Sequence, residues 1–233
     1  MKISTPIQID PDQVAWEGAL EPRGETFKAA APQPRVTLGE PVWWTAEEAM
    51  ETETGKPWSP PASDRTYTLL RLACTLHPPE GRRSRYSEAV LHAYLRPHSS
   101  GAGAVVAHDL YPQRIAAEET GTVKIGLGPD LTFAGLVDLS LVEVGAEIEF
   151  PQVFPVVQGY GLGESRPYWR FADHPGHPLL GCQSVYAVLD APREAGGVRL
   201  TIELAATVET RFGPLRMGLP EEAYAYVQRV IGE

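Results

Sequence analysis

The amino-acid sequence predicts an all-β protein, an antiparallel β-sandwich of jelly-roll-like type, and three observations predict it. The stretch 198–212 alternates strictly. Val198, Leu200, Ile202, Leu204, Ala206, Val208 and Phe212 fall on one parity, with Thr210 the one polar member, and Arg199, Thr201, Glu203, Thr207, Glu209 and Arg211 fall on the other. Successive strand side chains point to opposite faces, so this is a long strand with a core face and a wet face. Two further stretches behave alike: 66–76 places Leu70, Leu72, Cys74 and Leu76 on one parity, and 86–96 does so with Ala89, Leu91, Ala93 and Leu95. Turn-rich connections at 77–84 and 192–197 (Pro-Arg-Glu-Ala-Gly-Gly) complete the pattern, predicting hairpins between 66–76 and 86–96 and between 184–191 and 198–212. A closed barrel is the alternative architecture.

Taken in order, residues 1–63 read as an extended Pro/Trp-rich N-terminal arm. Nine prolines interrupt it, yet it holds Trp16, Trp43, Trp44 and Trp58, four of the five tryptophans. Large apolar rings favour burial, so the arm is expected to dock on its own domain or on a neighbour. Residues 64–219 form the expected β-sandwich domain. After the two strands at 66–76 and 86–96 come short strands at 104–107 and 113–117, then 122–127, 131–144 and 146–150, punctuated by Gly126, Gly128, Pro129 and Gly145. The run 153–157, broken by Pro155, is an edge strand at best. Residues 159–183 read as a long Gly-, Pro- and aromatic-rich loop. The segment 220–233 is expected to be a short C-terminal helix, with Pro220 at its start, Glu221 and Glu222 in its first turn, and an Ala223, Tyr226, Val227, Val230 stripe.

A 43% hydrophobic, 21% charged chain of 233 residues suits a globular β domain. The start lacks an apolar signal core, and no apolar run reaches the roughly 20 residues of a membrane helix, so a cytoplasmic location with no membrane partner is expected. A formal charge of −10 argues against nucleic acid as a partner. Cys74 and Cys182 sit in or beside strands and read as small buried hydrophobes.

Among residues that could carry chemistry, Tyr160, Tyr168, Trp169 and Phe171 give the 159–183 loop its strongest signal, since rigid aromatics suit interfaces and ligand platforms. Asp173, His174 and His177 are metal-ligand types, but His174 and His177 are one residue too close for the usual zinc spacing. Gly159, Gly161 and Gly163 lack the helix that a phosphate-binding fingerprint needs, because Pro167 intervenes. Ser165 lacks a nucleophile-elbow context, and Glu147 with Glu149 reads as a wet strand face.

The functional expectation is a non-catalytic assembly or protein-interaction module, with no cofactor. Its partners would be copies of itself or a larger complex, and a virion-like shell is the most specific version. The interaction residues would be Trp16, Trp43, Trp44 and Trp58 in the arm with the aromatic loop. A small-ligand or carbohydrate-binding β domain using Tyr160, Tyr168 and Trp169 is the first alternative. A metal-assisted hydrolase or cupin-like enzyme is the second.

Overall fold

The computed structural model describes residues 8–23, 33–47, 62–80, 84–115, 123–125, 146–148, 156–175, 178–211 and 213–232. It is all-β and antiparallel. In chain order the strands are β1 (Val14–Ala19), β2 (Glu21–Pro22), β3 (Arg35–Gly39), β4 (Val42–Thr45), β5 (Arg65–Leu76), β6 (Arg85–Pro97), β7 (Val106–Tyr111) and β8 (Arg114–Ile115). There follow β9 (Val123–Ile125), β10 (Ala146–Ile148), β11 (Val156–Tyr160), β12 (Tyr168–Ala172), β13 (Gly181–Pro192), β14 (Val198–Thr210), β15 (Gly213–Gly218) and β16 (Gln228–Ile231). Among the described residues, a smaller sheet runs β1-β3-β5-β13-β7 with β4 also on β5. A larger one runs β2-β15-β14-β6-β12-β11-β8 with β16 also on β14.

The strands expected from alternation are present, but their expected partners are not. Neither hairpin forms. β13 lies in the smaller sheet, paired with β5 from Gly181↔Leu76 to Pro192↔Arg65, while β14 lies in the larger sheet beside β6, from Val198↔Pro97 to Glu209↔Arg85. The connections 77–84 and 192–197 therefore cross from one sheet to the other. The physical reason is burial. Val185, Ala187 and Leu189 join the core, and Tyr186 and Val188 on the opposite face are also buried, so β13 is a central strand covered on both sides. β14 buries only its even residues. Connections of this length can span the ~10 Å between packed sheets.

Side chains from both sheets share one buried cluster, including Leu70, Leu72 and Cys74 from β5, Leu91 and Ala93 from β6, Trp169 and Phe171 from β12, and Leu200, Ile202 and Leu204 from β14.

Two other expectations change. The stretch 159–183 is not one loop: β11 and β12 form a hairpin inside it, with Tyr160↔Tyr168 and Val157↔Phe171 in register. The expected C-terminal helix is absent as well. Glu221–Ala225 makes a 3₁₀ turn, and β16 then pairs Val198↔Ile231 to Thr201↔Gln228. β15 covers β14 only from Ala205 to Thr210, so the start of β14 would otherwise present an open edge. Ala223 and Val227 are buried as the stripe requires, but Tyr226 and Val230 are 54% and 39% exposed.

Candidate functional site

Alternation on four neighbouring strands builds one lateral row on the outer face of the larger sheet. Leu91, Ala93, Trp169, Ile202 and Leu204 turn inward, so His92, Tyr94, Tyr168 and Glu203 turn outward. The register Tyr160↔Tyr168, Tyr168↔His92 and His92↔Glu203 brings residues distant in sequence side by side. Tyr160 and Tyr168 stack at 4.8 Å between centroids with 16° between planes, His92 lies 5.1 Å from Tyr168, and Tyr94 stacks 5.9 Å from His92.

Glu203 is the acceptor at one end of this row. Arg23 donates to its Oε1 at 2.7 Å and the Tyr224 hydroxyl at 3.2 Å, while the Tyr94 hydroxyl donates to Oε2 at 2.8 Å. Burial pushes the Glu203 carboxyl up, but the Tyr94 hydrogen bond, the Arg23 charge and the Tyr224 bond outweigh it and hold the group below the ordinary range. Burial first, then the bond to Glu203, pushes the Tyr94 phenol up to about 12. Burial lowers the imidazole of His92, with Glu203 opposing.

Near the same end, beside Tyr94, the connection from β11 to β12 places Arg166. Ser165 and Pro167 carbonyls accept from Leu95 and Ala93 N–H at 2.9 Å each, which lays this stretch along β6. Gly161 takes φ 89° beneath it, and a β-carbon there would stand 2.8 Å from Pro167 Cα, so glycine is required. The Arg166 guanidinium lies 5.9 Å over the Tyr94 ring.

The residues singled out from sequence scatter across this structure. Tyr160 and Tyr168 stand on the row, whereas Trp169 and Phe171 are fully buried in the core, so the expected four-aromatic platform is split by strand parity. Trp16 packs partly against the core and covers Gly18, where a β-carbon would meet its ring at 2.4 Å. Trp43 is 36% exposed and faces Leu70 across the β4–β5 pair; Trp44 faces Leu69 and carries the Arg71 guanidinium 5.9 Å over its ring. Trp58 lies outside the described residues. Asp173 accepts from the Leu179 N–H at 2.9 Å and from Arg85 at 3.3 Å, a turn-closing role. His177 lies outside the described residues, and no three metal-ligand side chains converge among those described, His174 included. His92, Tyr94, Arg166 and Glu203 were missed, since only pairing register unites them.

A second feature lies beside the row. β8 pairs with β11 at the edge of the larger sheet, Ile115 facing Val157 and Arg114 facing Gln158. The chain that leaves β8 and returns to β11 forms its own two-stranded ladder, with Val123↔Ile148, Lys124↔Glu147 and Ile125↔Ala146. The two registers differ by a single residue, and among the described residues this ladder is a separate two-stranded sheet.

No family model and no curated protein matches the chain. Solved structures of similar all-β fold include the delta-toxin of Clostridium perfringens, at 11% identity and a TM-score of 0.47, with 87% of this chain and 96% of that one covered. A pore forming protein matches at 11% and 0.43 over 91% and 92%. The NetB toxin of Clostridium perfringens in its membrane-inserted form matches at 9% and 0.35, over 92% and 91%. By their titles two of these three are toxins, one of them in a membrane-inserted form, and the third is a pore forming protein. Against these neighbours the expectation of a non-catalytic assembly or protein-interaction module is corrected, as are those of no membrane partner and a cytoplasmic location.

Proposed function

We propose that this chain is a membrane-active protein that inserts residues 122–150 into a bilayer as an amphipathic β-hairpin, several copies closing their hairpins into a pore. The observation that carries the reading is the β9–β10 register combined with the residues it aligns. Directly opposed residues in an antiparallel pair share a face. Val123 and Ile125 therefore share a face with Ile148 and Ala146, and Lys124 shares the other with Glu147. The sequence continues both parities at the base of the hairpin: Leu127 follows the first, with Val144 and Val142 on the returning half. Gly126 and Gly128 follow the second, with Gly145 and Glu143 returning; nearer the tip the parities mix, Leu141 and Leu139 falling on the second and Ser140 and Asp138 on the first.

One face suits lipid and the other water, which is the pattern of a barrel strand. Length agrees, because a membrane strand needs about 9–11 residues and this stretch supplies two such strands and a turn. An isolated hairpin in lipid would leave unpaired N–H and C=O groups along both edges, so only closure with other copies satisfies the backbone. The two sheets, sharing one core, support a sandwich reading in which a rigid body carries the hairpin at its edge. Among the described residues no helix is long and apolar enough to cross a membrane, which leaves strands as the crossing element to test.

Release of a trapped dye from lipid vesicles tests this. The full-length chain is expected to release it, and a variant with 122–150 replaced by a short Gly-Ser linker is expected to keep its melting temperature and release none. Equal release by both proteins would refute the reading.

A further inference from the structure

We propose that copies of this chain dock through opposite lateral edges, the turn between β11 and β12 of one copy seating against the 3₁₀ turn Glu221–Ala225 and β16 of the next. The inference rests on the membrane-active reading above and names the surfaces by which its copies meet.

The two sheets end together on each side. On one side β1 ends the smaller sheet and β2 the larger, with only Leu20 between them; on the other, β7 and β8 do so, joined through Pro112 and Gln113. The first side is completed by β16 and the turn Glu221–Ala225, beside β14. On the second side the turn after β11 reaches the smaller sheet. Gly163 N–H donates to the Ala107 carbonyl of β7 at 2.7 Å, and Ala107 N–H donates to the Glu164 carbonyl at 3.0 Å.

Apolar exposure gathers on these two sides. Among the described residues five large apolar side chains are more than a third exposed, and four of them are Tyr160 and Leu162 on one side with Tyr226 and Val230 on the other. A single exposed leucine is ordinary, but apolar pairs on both edges at matching heights mark a contact. Register sets those heights. Tyr160 begins the row that crosses Tyr168 and His92 to Glu203, and Tyr224, in the 3₁₀ turn, donates to that same Glu203. Further from the hairpin, the Ser165 carbonyl accepts from Leu95 N–H, and the next position along aligns Arg96, Arg199 and Val230. Tyr160 is thus level with the 3₁₀ turn, and the turn that carries Leu162 is level with Val230.

Copies placed head to tail with parallel strands therefore meet with little rise, the condition for a heterologous contact to close into a ring. The chain leaves β8 after Ile115 and enters β11 at Val156, the end of β11 remote from this turn, so successive hairpins emerge on the same side. Charge agrees. Arg96 and Arg199 are exposed and directly opposed, a destabilising like-charge pair, and among the described residues neither meets a carboxylate. Glu164 is exposed and, among the described residues, meets no cation. Leu162 seated on Val230 of the next copy carries Glu164 to Arg199, the cross-strand neighbour of that valine. Glu221 and Glu222 lie in the 3₁₀ turn, at the height of Tyr160 and not of Glu164.

Cross-linking between single-cysteine chains tests the contact. Leu162→Cys and Val230→Cys are made separately in the full-length chain with Cys182→Ser, one of them carrying a size tag; Cys74 is fully buried. The two are mixed on phosphatidylcholine vesicles and in concentrated solution, dye release is read, and a short bis-maleimide is added. Mixed pairs are expected, with like pairs at background. Arg199→Glu in the Val230→Cys chain is expected to lower the mixed yield about fivefold, and Glu164→Arg in the Leu162→Cys chain to restore it. Both sites are exposed, so melting temperatures are expected to hold. Like pairs as abundant as mixed ones, a yield indifferent to Arg199→Glu, or no mixed pairs in either setting overturns the contact. Mixed pairs without dye release uphold the contact and refute pore formation; dye release without mixed pairs does the reverse.

Discussion

Glu203→Gln is the substitution whose cost the structure lets one work out most fully. The carboxylate is 21% exposed and receives three donors: Tyr94 at 2.8 Å, Arg23 at 2.7 Å and Tyr224 at 3.2 Å. Bonds to a charged acceptor contribute about 1.5–3 kcal/mol, against roughly 0.5–1.5 for neutral pairs, so turning the acceptor neutral forfeits about 1 kcal/mol at each tyrosine. The Arg23 side chain is 50% exposed, and a pair so wetted adds only about 0–1 kcal/mol. The amide nitrogen also replaces one acceptor oxygen, obliging a tyrosine hydroxyl or Arg23 to lose its partner. The sum is about 2–3 kcal/mol, or roughly 4–12 °C in melting temperature for a domain of this size. Thermal unfolding followed by circular dichroism at neutral pH reads it.

The pH dependence supplies a second arm. Glu203 is held below its ordinary 4.5, so its contribution is complete above that value and is lost as pH falls through the lower folded value. The gap between wild type and Glu203→Gln should therefore close in acid. A gap absent at neutral pH, or undiminished in strong acid, would refute the account of this cluster.

Three other outcomes follow from the same structure. Trp169→Ala removes a fully buried indole from the shared core and should cost about 3–5 kcal/mol, read by denaturant unfolding. His92 is held below its ordinary 6.5 by burial, so folding loses stability as pH drops through and below that value. His92→Phe, which keeps the ring between Tyr168 and Tyr94, should flatten that slope in melting curves taken between neutral and mildly acid pH. Ile125→Asp places a charge on the apolar parity of the hairpin, a change costing about 2–4 kcal/mol at most on a lipid face; dye release should fall sharply while the soluble protein's melting temperature holds.

What the sequence revealed was which residues are strands, and less about what they pair with. The alternation of 198–212 identified β14 because parity is a local property. It could not say that β14 lies beside β6 and not β13, since a strand with one buried face reads the same in either sheet. The continuous apolar run Val185-Tyr186-Ala187-Val188-Leu189 held the clue, because burial on both faces marks a central strand. β12 was obscured by the glycines and prolines around it, although Tyr168-Trp169-Arg170-Phe171 alternates, and reading that parity would have sent Trp169 and Phe171 to the core. His92 and Glu203 lie 111 positions apart and become neighbours only through register. The hairpin was hidden differently. Pro129, Gly126, Gly128 and Gly145 break its run, and at its base the apolar residues are odd-numbered from 123 to 127 and even-numbered from 142 to 148, so the observed register, Val123↔Ile148 to Ile125↔Ala146, is what superimposes them.

Single cysteines placed from 123 to 127 and from 142 to 148, in a Cys182→Ser background and labelled with an environment-sensitive fluorophore, would test insertion most directly. On vesicles, labels at 123, 125, 127, 142, 144, 146 and 148 should shift to the blue, while those at 124, 126, 143, 145 and 147 stay water-like. A shift without period two, or none at any position on vesicles that bind the protein, would contradict insertion of this segment as a barrel hairpin.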